Sequence, residues 1–358
     1  MKRLWVILLA VLLPAASFAC TTAVVSAGAS ATGRPMLWKQ RDASDPYNII
    51  VRVSGGPLAY TGLFPTSDTL HTKCYAGINE AGFAIINNLS YNMRPDSLGF
   101  DTCAGRTMAR ALACCRSVDD FAALLAELPR PMNLSTNFGV ADPMGGAAYF
   151  EVGDNAVVRY DVPAGGILFR TNYSLAGDPG RGRGYERYKT MDYLTEPPGK
   201  FDPQFFFKTG RSFLRDGRDA LATAPATGLL EHDFIPRSTT VSSLVIECPS
   251  QAGEKGLLWC ATGYTPCCYA VAVFEGEELP EAVQGAANLL SRRLYERVHD
   301  GKMVDPVLLR RIIRRVEHFE RLEFRAARRL MDRGVTPEAV RSYNASADRR
   351  FRRFERKV

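Results

Sequence analysis

The stretch CTTAVVSAGASATGRPMLWKQRDAS (Cys20–Ser44) holds two runs of strand composition, TTAVVSA and PMLWKQR, with turn residues Thr32 and Gly33 between them. Runs joined in this way pair as an antiparallel hairpin, which returns the end of the second strand to the start of the first. Cys20 opens the first run and Asp42 closes the second, so the hairpin sets a thiol and a carboxylate side by side.

What precedes Cys20 gives that thiol its meaning. Lys2 and Arg3 form a basic start, Leu4 to Leu13 an apolar core, Pro14 a break, and Ser17 and Ala19 occupy the small-residue positions of a cleavage site. The apolar run is shorter than the roughly 20 residues that span a bilayer. Residues 1–19 are therefore expected to be a signal peptide, and the mature chain an exported, periplasmic or secreted protein beginning at Cys20. An N-terminal cysteine then has three readings. It can carry a lipid anchor, although Ser17 and Phe18 fit that signal poorly. It can be a disulfide cysteine. Or it can be a nucleophile whose own α-amine, with a pKa near ~8, serves as general base.

Composition narrows the field. The 358 residues suit one large or two medium domains with ample apolar content. Nine cysteines permit disulfides in an oxidising compartment, and the odd count leaves one over, for which Cys20 is the natural candidate. There is no CxxC pair, and His71, His232, His299 and His318 are the only histidines, so no zinc site and no metal is expected. No GxSxG occurs. A cysteine that carries its own base needs no histidine.

Further strands are expected in NIIVRV, GFAIINN, NFGVAD, AAYFEV, NAVVRYD, GILFRTN, TVSSLVIEC, GLLWCAT and YAVAVFE, bounded mostly by Gly, Pro, Asn or Asp. One helical interval interrupts them: Arg106 to Cys115 leads into Ser117, an N-cap ahead of Phe121, Leu124, Leu125 and Leu128. LLEHDF around His232 reads as helix. From residue 279 to 358 the chain turns helical and basic, with 20 Lys or Arg against 11 Asp or Glu. An apolar stripe there runs through Leu308, Ile312, Ile313, Val316, Phe319, Leu322 and Leu330. That face either packs on the sheets or, with its arginines, meets an anionic membrane surface. Export argues against nucleic acid as a partner. The tail reads as separable, so that deleting it would leave chemistry at Cys20 measurable.

The hairpin resembles the start of the N-terminal nucleophile hydrolases of the choloylglycine hydrolase and acyl-CoA:penicillin acyltransferase type. The resemblance implies Cys20 as nucleophile and Asp42 beside its amine. Lys39 and Arg41 both stand as candidates for the family's basic residue, since a nearby cation favours thiolate over thiol. GINEAGFAIINNLSYN (Gly77–Asn92) is similar to the family's NE-x-G segment, whose strand ends in an oxyanion-binding asparagine, with Asn87 preferred and Asn88 competing. NFGVADPMGGAAYFE resembles a structural strand–turn–strand with Asp and Glu at its ends. ILFRTNYS (Ile167–Ser174) resembles the TN segment, giving Asn172, and RGRGYERY gives Arg187. The implied fold is α+β, a four-layer αββα sandwich over residues 20–278, followed by a basic helical C-terminal extension, 279–358. The implied activity is cleavage of a linear, non-peptide amide through a thioester on Cys20, without cofactor. The partner is then a small acyl amide, homo-oligomers staying open, with Phe205, Phe206, Phe207, Tyr91 and Trp259 as candidates for an acyl pocket. An acyltransferase of the same fold and a lipid-anchored, non-catalytic lipoprotein are the alternatives.

Overall fold

The computed structural model describes residues 19–94, 103–196, 199–251 and 254–358. The expected signal segment, Ala19 apart, lies outside the described residues. The chain begins with the hairpin β1 (Thr21–Val25) and β2 (Met36–Asp42). A meander follows: β3 (Asn48–Val53), β4 (Tyr60–Pro65), β5 (Ala76–Asn79), β6 (Ala84–Leu89), β7 (Thr136–Ala141), β8 (Ala147–Val152) and β9 (Val157–Asp161). Helices α1 (Ala104–Cys114) and α2 (Val118–Glu127) interrupt it between β6 and β7. β10 (Ile167–Arg170) returns to β1. Next come α3 (Tyr185–Thr195), α4 (Pro203–Thr209) and the short pieces β11 (Leu214–Arg215), β12 (Arg218–Asp219), α5 (Ala220–Thr223) and β13 (Leu229–Leu230). Three strands, β14 (Thr240–Glu247), β15 (Leu257–Ala261) and β16 (Val271–Phe274), complete the sheets. The chain ends with α6 (Ala286–Val298), β17 (His299–Asp300), β18 (Met303–Val304), α7 (Pro306–Arg333) and α8 (Pro337–Glu355).

Two antiparallel sheets carry the fold, in the orders β10-β1-β2-β14-β15-β16 and β3-β4-β5-β6-β7-β8-β9. They face each other: the Tyr149 hydroxyl of β8 donates to Thr22 Oγ1 of β1 at 3.0 Å, and Lys39 of β2 reaches Asn87 of β6. β1, β14 and β15 are buried along their whole length, and burial on both faces explains the continuous apolar run LLWCA of β15. Helices cover the outer faces. α2 starts at Ser117, whose side chain makes a capping box with Asp120, and it sends Phe121 edge-on to Phe138 and Phe150 on the seven-stranded sheet. On the other side α7 lays Phe324 over Trp259 at 4.0 Å between ring centroids, and Phe319 over Tyr269. The result is a four-layer αββα sandwich, as the resemblance implied.

Several expectations need correction. The segment around His232 is not helical: after β13 it runs as a loop to Thr240. Phe206, Phe207 and Trp259 are fully buried core, not pocket lining. All nine cysteines are free thiols, and the adjacent Cys114 and Cys115 sulfurs lie 4.0 Å apart. Of the two readings of the tail's apolar stripe, packing on the sheets is the one the structure shows: Ile312, Val316, Phe319, Phe324 and Ala327 pack on the six-stranded sheet, so these helices form part of the core. Among the described residues, no helix is long and apolar enough to cross a membrane.

Candidate active site

The strand ends at one edge of the sandwich converge on Cys20. β2 pairs with β1 so that Lys39 lies opposite Thr22 and Gln40 opposite Thr21, which brings the Arg41–Asp42 end alongside Cys20. The Cys20 sulfur sits 3.8 Å from the Asp42 carbonyl oxygen and is buried. β14 pairs with β2 from the other side, and its register slips between Thr240 and Ser242 opposite Asp42 and Arg41. Such a bulge re-aims a side chain, and here the Thr240 hydroxyl donates to Asp42 Oδ1 at 2.6 Å. The second carboxylate oxygen, Oδ2, is buried with no partner among the described residues. Burial pushes the Asp42 carboxyl up to about 7, against the pull of Arg237 and Arg187 and of the Thr240 hydrogen bond.

Arg187 ties the site together. α3 presents it fully buried, and its Nη1 donates to the Cys20 carbonyl at 2.7 Å and to Thr21 Oγ1 at 2.9 Å. Its Nη2 donates to Asn172 Oδ1 at 2.9 Å, and its Nε to Asp233 at 3.0 Å. Asn172 sits just past β10, the strand beside β1, and its amide nitrogen donates to the Leu89 carbonyl at 2.8 Å.

Lys39 and Arg41 part company. Lys39 is buried between the sheets, donating to Asn87 Oδ1 at 2.6 Å and to the Tyr75 carbonyl at 2.8 Å. Burial lowers its ammonium to about 8, partly offset by the negative potential of Cys20. Arg41 instead donates to Asn48 Oδ1 at 2.7 Å and stacks 4.5 Å over the Tyr75 ring. The two asparagines of β6 also separate. Asn88 accepts from the Thr22 hydroxyl at 2.7 Å and donates to the Thr171 carbonyl. Asn87 has its oxygen pinned by Lys39, while its nitrogen makes only a long 3.3 Å contact to Thr136. In both Asn87 and Asn172 a cation holds the amide oxygen, which fixes the amide so that an N–H can face the site.

The structure thus gathers Cys20, Asp42, Lys39, Asn87, Asn172 and Arg187 at one edge and sets Arg41 to the side. Sequence reasoning missed Thr240, Asp233 and Arg237. Asp233 accepts from both Arg187 and Arg237, the latter at 2.9 Å. Their loop has no periodicity to flag it. Tyr91, offered as pocket lining, lies close enough for the Cys20 charge to act on its phenol, and Arg183 stacks 4.6 Å over its ring. The Asp and Glu closing the NFGVADPMGGAAYFE segment are structural: Asp142 caps Val118 and the β7–β8 turn, and Glu151 pairs with buried Arg170.

No curated protein sequence matches this chain. Among solved structures, a Caenorhabditis elegans N-acylethanolamine-hydrolyzing acid amidase ortholog superposes with a TM-score of 0.44 at 14% identity, covering 65% of this chain and 94% of that one. Penicillin V acylase from Agrobacterium tumefaciens gives 0.41 at 15%, covering 70% and 86%. A conjugated bile acid hydrolase from Clostridium perfringens gives 0.43 at 12%, covering 71% and 92%. By sequence, residues 58–181, from the loop before β4 to the loop before α3, match the family described as acyl-coenzyme A:6-aminopenicillanic acid acyl-transferase.

Proposed function

We propose that the chain, once cut before Cys20, is an amidohydrolase that cleaves a linear acyl amide through a thioester on that cysteine. The observation that carries this is buried Asp42, whose backbone carbonyl lies 3.8 Å from the Cys20 sulfur and whose Oδ2 has no partner among the described residues. A carboxylate oxygen left without a donor is costly, and the α-ammonium freed by cleavage supplies one. The match to an acyl-transferring family over residues 58–181 supports the same chemistry.

In this reading the α-amine takes the Cys20 thiol proton and the thiolate adds to the amide carbonyl. The resulting oxyanion is met by N–H groups of Asn87 and Asn172, a preorganised donor of this kind lowering a barrier by about 3 kcal/mol. The C–N bond breaks as the α-ammonium returns the proton to the leaving amine, leaving the acyl group on sulfur. Water, deprotonated by the same amine, then adds to the thioester and releases the acid. Arg187 fixes the Cys20 carbonyl, which orients the neighbouring amine. Export through a cleaved signal peptide belongs to this proposal, because an amine still joined to Ala19 is no base. One observation favours a second reading: the matching family is named for acyl transfer, so an amine can replace water as acceptor.

The test is to express the chain from Met1, measure the intact mass of the product, and assay release of a chromogenic amine from acyl amides of increasing chain length. We expect a chain beginning at unmodified Cys20, full loss of turnover in Cys20→Ala, and amide release partitioning between water and added amine acceptors. A lipid mass on Cys20, or unchanged turnover in Cys20→Ala, would rule the mechanism out.

A further inference from the structure

Helix α7 carries two opposite stripes. One is buried, through Leu309, Ile312, Val316, Phe319, Phe324 and Ala327. The other, at spacings of four and three, is Val307, Arg311, Arg314, His318, Arg321, Arg325 and Arg329, and every member is exposed. Over 28 residues the helix is about 42 Å long, so this is a straight, extended row of cations. None of these five arginines has a carboxylate within 4.0 Å among the described residues, whereas neighbouring Arg328 and Arg350 are paired with Glu247 and Glu323. Residues 306–358 hold 16 Arg or Lys against 7 Asp or Glu, an excess larger than the whole chain's +7. Two of those seven acids, Glu320 and Glu323, are buried in ion pairs and do not reach the surface. Glu317 and Asp332 alone flank the row on α7.

The row begins at an apolar edge. Val307 is 45% exposed, and Met303 and Leu230, cross-strand partners in β18 and β13, are 40% and 48% exposed. A cationic row with a few exposed apolar residues at its head suits a surface held to anionic headgroups by charge, with a shallow apolar contact beside it. We propose that the outer face of α7 docks the protein on an anionic phospholipid surface, with Val307, Met303 and Leu230 entering the interface. This rests on the acyl-amide reading in one respect: an amphiphilic substrate partitions into the same surface. His318 apart, the arginine row has no aromatic ring interleaved along it to stack bases, so a lipid surface is favoured over a nucleic acid.

The experiment is vesicle co-sedimentation of the processed full chain, with phosphatidylcholine alone and with phosphatidylglycerol added, at low and high salt. Because each basic residue near such a surface adds to binding, the Arg311→Glu/Arg321→Glu/Arg325→Glu variant is expected to bind at least about tenfold more weakly. Binding should also require phosphatidylglycerol and fall with salt. These side chains are exposed, and unchanged melting by circular dichroism checks the fold; the milder triple Gln variant should give an intermediate loss. Equal binding to neutral vesicles, no binding to either kind, or unchanged binding by the variant overturns the proposal. So does stronger binding to duplex DNA that displaces the vesicles. The readout needs no turnover, so an inactive protein that still sediments with anionic vesicles refutes the amidase reading alone.

Discussion

At the scale of single residues, Arg187 is the side chain on which the site's geometry turns. Its planar fork serves four acceptors at once: the Cys20 carbonyl, Thr21, Asn172 and Asp233. A lysine is a point charge with no such fork and cannot serve them together. Arg187→Lys is therefore expected to lower kcat/KM by about tenfold to a hundredfold, the worth of one charge-assisted hydrogen bond in the transition state. Arg187→Ala should in addition cost about 1–3 kcal/mol of stability by orphaning Asn172 Oδ1 and the buried carbonyl. Steady-state kinetics with denaturant midpoints separates the two effects. A lysine variant with wild-type kinetics would show that the fork merely holds α3 in place.

Among the elements, α7 is the one that ties the basic C-terminal segment into the core. Glu320 of this helix accepts from the Arg211 guanidinium and from the Ala270 N–H, so one carboxylate fastens α7 to the loops before β11 and β16. Phe324 covers Trp259. Removing residues from 306 onward would expose that ring and strand Arg211, so a truncated chain is expected to be insoluble and not merely tail-less. The milder test is Phe324→Ala, expected to cost about 3–5 kcal/mol in chemical denaturation; a loss below about 1 kcal/mol would mean the helix is loosely held. Strands proved easier to read than helices here. All eleven runs picked out as strands fold as strands, because β-branched residues bounded by turn formers leave little choice. β4 and β5 escaped notice; in them Gly62 and Gly77 are set opposite one another where the backbones approach closely. A Cβ on Gly77 would come within 2.9 Å of the Thr61 carbonyl oxygen. α3 escaped because its buried residues, Arg187, Thr190 and Met191, form no apolar stripe. The candidate catalytic residues were found through motif order. Asp233, Arg237 and Thr240 belong to no motif, and only the folded loop and the bulge in β14 bring them to Asp42.

For the molecule as a whole, two buried ionisable groups make stability a reporter of processing. In the chain still joined through Ala19, the Asp42 carboxyl titrates at about 7 instead of its ordinary 3.8. Between those values the folded state binds more protons than the unfolded one, so stability is full below about pH 4 and is lost as pH rises to about 7. Lys39 acts in the opposite sense. Its ammonium falls from 10.5 to about 8, so over that interval the unfolded chain binds more protons and stability rises with pH. The unprocessed chain should therefore be least stable between about pH 7 and 8, by a few kcal/mol relative to pH 4. If the chain is cut before Cys20 as proposed, an α-ammonium beside Asp42 would draw its carboxyl down and remove most of the acid-side loss. Denaturant midpoints from pH 4 to 10, for the processed protein and for a chain whose leader cannot be cut, measure this directly. Asp42→Asn in the uncut chain should flatten the limb from pH 4 to 7 and leave the alkaline limb intact. Identical profiles for cut and uncut chains would mean that the new amine does not reach the carboxylate, and the proposed general base would lose its anchor.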